Sequence, residues 1–401
     1  MKRPLWILLF AIELIVGILL YYNFRHIWSP AEKPANGDVT ITSSTSPDNA
    51  DVVLDEVLVP NIQGSMADTI NEDVQVAQAD GLVEVTPVVF TLFSPLPDQV
   101  APNGYNLTDS LTDLGRYLFY DPRLSVNQEI SCNTCHPLSR YGADNLSVPL
   151  GHDGTPGKRN AQSVYNAALH ISQFWDGRSP TVEAQAKGPI TSDAEMGMLD
   201  GDYVVQVLKS IPGYRPLFRE AFPEEEQPVT FDNVTIALGA FERRLITPSR
   251  FDRFLEGDQT QLTDVEKRGL NTFVALGCPT CHTGATVGGL FYKKLGEENP
   301  YETDDMGRYL VTGMDEDRYV FKVPSLRNVA YTAPYLHDGS IQTLEEMVIL
   351  MAHHQLGKPV TPQQVSDIVS FLQSLSGEIP AQYIEPPSLP RSGVDTPAPQ
   401  K

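Results

Sequence analysis

Apolar and polar positions fall along this chain in blocks that read as elements. Residues 5–22 form a nearly unbroken apolar run, interrupted by Glu13 and preceded by Lys2 and Arg3. The run is just long enough to cross a bilayer as a helix. Glu13 costs ~2–3 kcal/mol at mid-helix, which the surrounding Leu, Ile, Val and Phe offset. No small-x-small cleavage site follows at the usual distance. The expectation is therefore a signal anchor over 1–26, with a cleaved signal peptide as the alternative. Basic residues before the run put the N-terminus in the cytoplasm and the remainder outside. Residues 27–92 are rich in Ser, Thr, Pro and Asp with almost no Lys or Arg, and read as an irregular acidic linker. Helical periodicity starts after Pro102. Leu111 to Tyr120 predicts a helix stopped by Asp121-Pro122. Thr263-Asp264-Val265-Glu266 is a capping box that opens a helix to about Leu276. Thr361-Pro362-Gln363-Gln364 caps another, whose Val365, Ile368, Val369, Leu372 and Leu375 form one core-facing stripe.

Composition narrows the class. The 401 residues, 41% of them hydrophobic, suggest two or three domains. With 51 acidic against 29 basic residues the net charge is -22, which disfavours nucleic acid and suits a basic soluble partner. Four cysteines make no disulfide scaffold at this length. They form two motifs instead, Cys132-Asn133-Thr134-Cys135-His136 and Cys278-Pro279-Thr280-Cys281-His282. Each follows a predicted helix, so helix-then-motif occurs twice, 146 residues apart, as a duplicated plan. A C-x-x-C pair alone fits a redox dithiol or half a zinc site. Both pairs here carry a trailing His and lie too far apart for a zinc ribbon. C-x-x-C-H is the attachment motif of c-type haem, with thioethers from the cysteines and the histidine as proximal iron ligand. Two covalently bound haem c groups are expected, and their attachment implies export.

Further motifs carry a resemblance. They are Gly151-His152 with Arg159-Asn160-Ala161; Gln173-Phe174-Trp175-Asp176-Gly177-Arg178; Glu183-Ala184-Gln185-Ala186 with Gly188-Pro189; Ala194-Glu195-Met196; and Val323-Pro324-Ser325-Leu326-Arg327-Asn328, leading to Thr332-Ala333-Pro334-Tyr335-Leu336-His337-Asp338-Gly339. In these, from about residue 92 to 378, the chain resembles the bacterial diheme cytochrome c peroxidases. The resemblance implies a mainly α-helical fold with two cytochrome-c-like haem domains. The expected limits are 93–256 for the peroxidatic domain, 257–385 for the electron-transfer domain and 386–401 for a disordered tail.

It also implies roles. His136 is then the proximal ligand of the peroxidatic haem, and His152 the distal histidine that leaves on activation. Gln185 and Glu195 line the peroxide pocket. Trp175 lies between the haems. Met351 is the distal ligand of the second haem opposite His282, with His353 and His354 as rivals. Asn160, Thr332 and Pro334 hold a calcium ion between the domains, and His337 lies near the second haem without ligating it. His170 and His26 read as structural or surface residues. The implied function is reduction of hydrogen peroxide with electrons from a small cytochrome c, a copper protein or quinol. A periplasmic location, anchored to the inner membrane, and a homodimer are expected. The alternatives are a non-enzymatic diheme electron carrier or redox sensor, and a MauG-like oxidase, which carries Tyr where Met351 stands.

Overall fold

The computed structural model describes residues 83–102 and 104–400. The 1–26 anchor, His26 and most of the 27–92 linker lie outside these residues. Among the described residues no helix is long and apolar enough to cross a membrane. The described chain is mainly helical. Its helices are α1 (Val89–Leu92), α2 (Asp109–Tyr120), α3 (Cys132–Cys135), α4 (Val182–Thr191), α5 (Gly201–Lys209), α6 (Tyr214–Ala221), α7 (Phe231–Glu242), α8 (Arg250–Leu255), α9 (Asp264–Leu276), α10 (Tyr309–Thr312), α11 (Leu344–His354), α12 (Pro362–Ser374) and α13 (Ala381–Ile384). A two-stranded antiparallel sheet pairs β1 (Tyr292–Lys294) with β2 (Val320–Lys322), Tyr292 opposite Lys322.

The predicted helices begin and end where their caps require. Thr108 Oγ1 accepts from Leu111 N at the start of α2, and Pro122 then opens a separate 3-10 turn. Thr263 and Glu266 close the capping box of α9, as Thr361 and Gln364 do for α12. Helix α9 stops at Gly277, whose φ of +94° favours glycine, directly before Cys278.

Two hydrophobic cores follow from the duplicated plan. In the first, α2 crosses α7; in the second, α9 crosses α12. Each crossing closes on a glycine. A methyl group at Gly115 would come within 1.9 Å of Ala237 O, and one at Gly269 within 1.9 Å of Asp367 O. Phe119 meets Phe241 edge-on at 5.3 Å, and Phe273 meets Phe371 at 5.4 Å. Such aromatic pairs add ~0.5–1.5 kcal/mol beyond their buried area.

The expected boundaries need three corrections. The last residues of the linker are built into the second core, where Val89 is fully buried, and Thr86 hydrogen-bonds Asn271. The acidic average of 27–92 conceals this apolar end. Phe93, Phe251 and Phe254, assigned to the first domain, also pack in the second core, while Ile379 and Tyr383 pack on the first. Finally, residues 386–400, expected as a disordered tail, run as a strap along the first core. Ser392 accepts from Arg123, Pro397 O from Gln128, and Gln400 N donates to Val126 O at 2.8 Å. Backbone and side-chain hydrogen bonds together hold this proline-rich segment despite its few apolar residues; Thr396 Oγ1 donates to Ser210 O and Gln400 Nε2 to Tyr203 Oη.

Candidate active site

At the first motif the backbone turns through α3, capped by Ser131 and Thr134, and presents Cys132, Cys135 and His136. No disulfide joins the cysteines, and burial pushes both thiols up to about 12. A redox dithiol needs the opposite, a depressed thiol. Burial holds His136 below its ordinary value, and its Nδ1 lies 3.2 Å from Gly142 O. A ring whose Nδ1–H is held by a carbonyl offers Nε2 to a metal.

Two segments converge on this motif. His152 N donates to Glu195 O at 2.7 Å, and Asn127 Nδ2 donates to His152 O at 2.5 Å. The His152 ring rests on Gly197, where a methyl group would lie 2.5 Å from its Nε2. Glu195 is partly buried, which raises its carboxyl, while the charge of Arg178 and a Ser192 hydrogen bond oppose the rise. Its charge reaches Cys135, placing the carboxylate on the motif's side. Gln185 sits on α4, whose end is tied to the same segment through Met196 N and Pro189 O, and makes no side-chain bond to Glu195 or His152.

The second motif opens on a cavity of about 220 Å³. Cys278, Cys281, His282 and Met351 line it, together with Trp175, His337, Asn160, Thr332 and Pro334. His282 Nδ1 is buried without a hydrogen bond of normal geometry, although the carbonyls of Val287 and Pro324 lie beside it. Burial pulls His282 down to about 4, keeping the imidazole neutral, as metal ligation requires. Met347 and Met351 face the cavity together from one side of α11. His353 and His354 do not line it; His353 is exposed and His354 Nδ1 lies 2.8 Å from Asn299 O. The two cysteine pairs belong to separate cores, and among the described residues no three His, Cys, Asp or Glu gather as a metal cluster. Both observations oppose a shared zinc.

Trp175 and His337 meet edge to face, ring centroids 6.5 Å apart. Trp175 Nε1 donates to Asn160 O at 2.9 Å, and Asn160 N donates to His337 O at 2.7 Å. The two aromatics occupy equivalent places in the duplication. Phe174-Trp175-Asp176-Gly177 and Leu336-His337-Asp338-Gly339 stand 162 residues apart and share a left-handed first residue, φ +68° and +70°. Upstream, Asn166 and Asn328 are also 162 residues apart, both left-handed and buried, and both donate to Thr247 Oγ1 at 2.8 Å.

Residues 109–260 match the family described as di-haem cytochrome c peroxidase. Cytochrome c551 peroxidase of Pseudomonas aeruginosa is 43% identical over 330 residues, covering 80% of this chain and 94% of that protein. The chain belongs to the di-haem cytochrome c peroxidase family. The cytochrome c551 peroxidase of Nitrosomonas europaea is 44% identical over 293 residues, covering 72% of this chain and 86% of its own. Among solved structures, a MauG-like protein associated with microbial copper homeostasis superimposes with a TM-score of 0.67 at 29% identity, covering 73% of this chain and 97% of its own.

The residues fit the two c-type haems of this family. Four half-buried cysteines outside any disulfide, two histidines held below their ordinary value by burial and the thioether of Met351 are the donor set, and the second motif lines one cavity with Met351. Sequence reasoning missed His170 and Lys322. His170 was expected to be structural or at the surface, yet its ring lines the cavity and its Nε2 is buried and unpartnered. Arg178, which opposes the rise at Glu195, was visible only as part of a motif.

Proposed function

We propose that the protein reduces hydrogen peroxide to water, consuming two electrons from an external donor and two protons per peroxide. The observation that carries the reading is the difference between the two motif surroundings. The first has a carboxyl and a histidine on a shared loop contact, Glu195 with His152. The second has a histidine and a methionine lining one cavity, His282 with Met351. When bound, haem iron would supply the centre for O–O cleavage at the first motif and an electron store at the second. Glu195 is suited to carry a proton between the peroxide oxygens, because its partly buried carboxyl binds a proton more readily than a free one. Gln185 on α4 orients peroxide. His152, whose ring rests on Gly197, would close the first site and leave it on activation. The Gly151–Gly154 turn, with Gly154 at φ +81°, gives it a pivot. His136 and His282 would hold the two haem irons, and Met351 would complete the ligand set of the second; a His/Met pair raises the potential of an electron-entry site. Trp175 bridges the two sites.

The finer features belong to the same proposal. Asn160, Thr332 and Pro334, all in the cavity lining, suit calcium, a hard cation that takes oxygen ligands. The haem domains lie in the periplasm, tethered by the N-terminal segment to the inner membrane, and pair as homodimers. The donor is a small cytochrome c, a copper protein or quinol. Methionine at 351 argues against the MauG-like oxidase reading. Steady-state assays with peroxide and each donor class, on protein shown to carry two haems, test the proposal. Turnover supports it; two haems that exchange electrons without consuming peroxide mark a carrier or sensor instead.

A further inference from the structure

Three cationic residues line the second cavity: Lys293, Lys322 and Arg327. Two have carboxylate partners. Lys293 pairs with Glu297, and Arg327 binds Asp252 through two hydrogen bonds of 2.6 and 2.8 Å. Lys322, on β2, is the most deeply placed of the three, 1% exposed, and among the described residues it forms no ion pair. Its Nζ contacts His170 Nδ1 at 3.3 Å. A protonated lysine donating there fixes the ring proton on Nε2, which is itself buried and unpartnered. A buried ammonium without a counter-charge is costly, and such groups are found paired. The protein therefore aims an unmatched cation and a spare donor into a cavity whose occupant must supply an anion. We propose that Lys322 binds a propionate carboxylate of the second haem, with His170 as a positioning residue that holds the ammonium toward it. The inference rests on the reading of this cavity as the second haem site.

The position of Lys322 gives it a measurable role. Its backbone N donates to Trp175 O at 2.7 Å, so β2 ties the anchor to the tryptophan between the sites. Without an anion, burial pushes Lys322 down to about 8; a carboxylate opposes that fall. A cation beside the propionate offsets its negative charge, which otherwise favours the oxidised haem. Lys322→Gln should lower the midpoint potential of the second haem alone, by roughly a tenfold change in the oxidised-to-reduced ratio, or about 59 mV for one electron. Lys322→Arg keeps the charge and should hold the potential, while moving the propionate bending band of that haem in resonance Raman spectra. His170→Ala should give a smaller fall in potential than Lys322→Gln. A haem count on the wild-type protein separates the two layers of the argument. One haem alone, on the first motif, overturns the cavity reading and this inference together. With two haems present, an unchanged potential in Lys322→Gln, or an unmoved propionate band in Lys322→Arg, overturns the inference and leaves the peroxidase reading standing.

Discussion

Replacing Gly269 by Ala puts one methyl group into the tightest contact of the second core. That methyl would lie 1.9 Å from Asp367 O and 2.9 Å from Phe371 Cβ, against about 3.4 Å for ordinary contact. Helices α9 and α12 must part by about 1.5 Å, the difference between 1.9 and 3.4 Å, and the obstacle is backbone that cannot rotate away. Overpacking costs ~1–3 kcal/mol, and a carbonyl in the way places this case at the upper end. Alanine returns up to ~1 kcal/mol of helix propensity over glycine. The net loss is about 2 kcal/mol, or ~4–8 °C in Tm at ~2–4 °C per kcal/mol for a domain of this size. Thermal unfolding of the haem-loaded protein, followed by far-UV circular dichroism, measures it. Gly115→Ala should behave alike in the first core, where the methyl also meets a carbonyl at 1.9 Å. Gly188→Ala is the control, since its nearest neighbour is the side-chain atom Phe174 Cζ at 3.4 Å. A Gly269→Ala protein that melts with the wild type would refute the close-crossing argument.

Three further outcomes are expected. Glu195→Gln removes the proton carrier and should cut peroxide turnover by ~10²–10⁴ with both haems retained; full activity would take Glu195 out of the mechanism. Met351→His should lower the potential of the second haem, and an unchanged potential and reduced spectrum would place the ligand elsewhere. Glu242, raised from 4.5 to about 8 by burial and then by the charge of Glu183, binds its proton more tightly folded than unfolded. Its contribution to stability is present below its unfolded value and is lost as pH rises through about 8. Glu242→Gln should remove that component, so its Tm falls less than that of the wild type as pH rises; parallel Tm–pH curves would show that Glu242 is not the source.

Local signals carried much of this architecture. The caps at Thr263 and Thr361 and the stop at Asp121-Pro122 are short-range chemistry, and the structure has them where the residues predict. The C-x-x-C-H motifs are equally local. What escaped depends on distant partners. Thr247 joins Asn166 to Asn328, an equivalence of two loops that a single pass along the chain does not bring together. Lys322 and His170, 152 positions apart, acquire meaning only when β2 carries one against the other at the cavity wall. Val89 shows the converse error, an apolar residue hidden by the acidic average of its neighbours. The strap ending at Gln400 is held by hydrogen bonds at Ser392, Thr396, Pro397 and Gln400, too scattered to leave a pattern along a proline-rich run.

The division of labour between the two motifs is tested most directly by one stopped-flow experiment. Protein with its second haem reduced is mixed with hydrogen peroxide in the presence of calcium, and oxidation of that haem is followed together with peroxide loss. The account predicts that the two proceed together, and that Glu195→Gln slows both. A second haem that stays reduced while peroxide persists, in protein holding both haems, would contradict it.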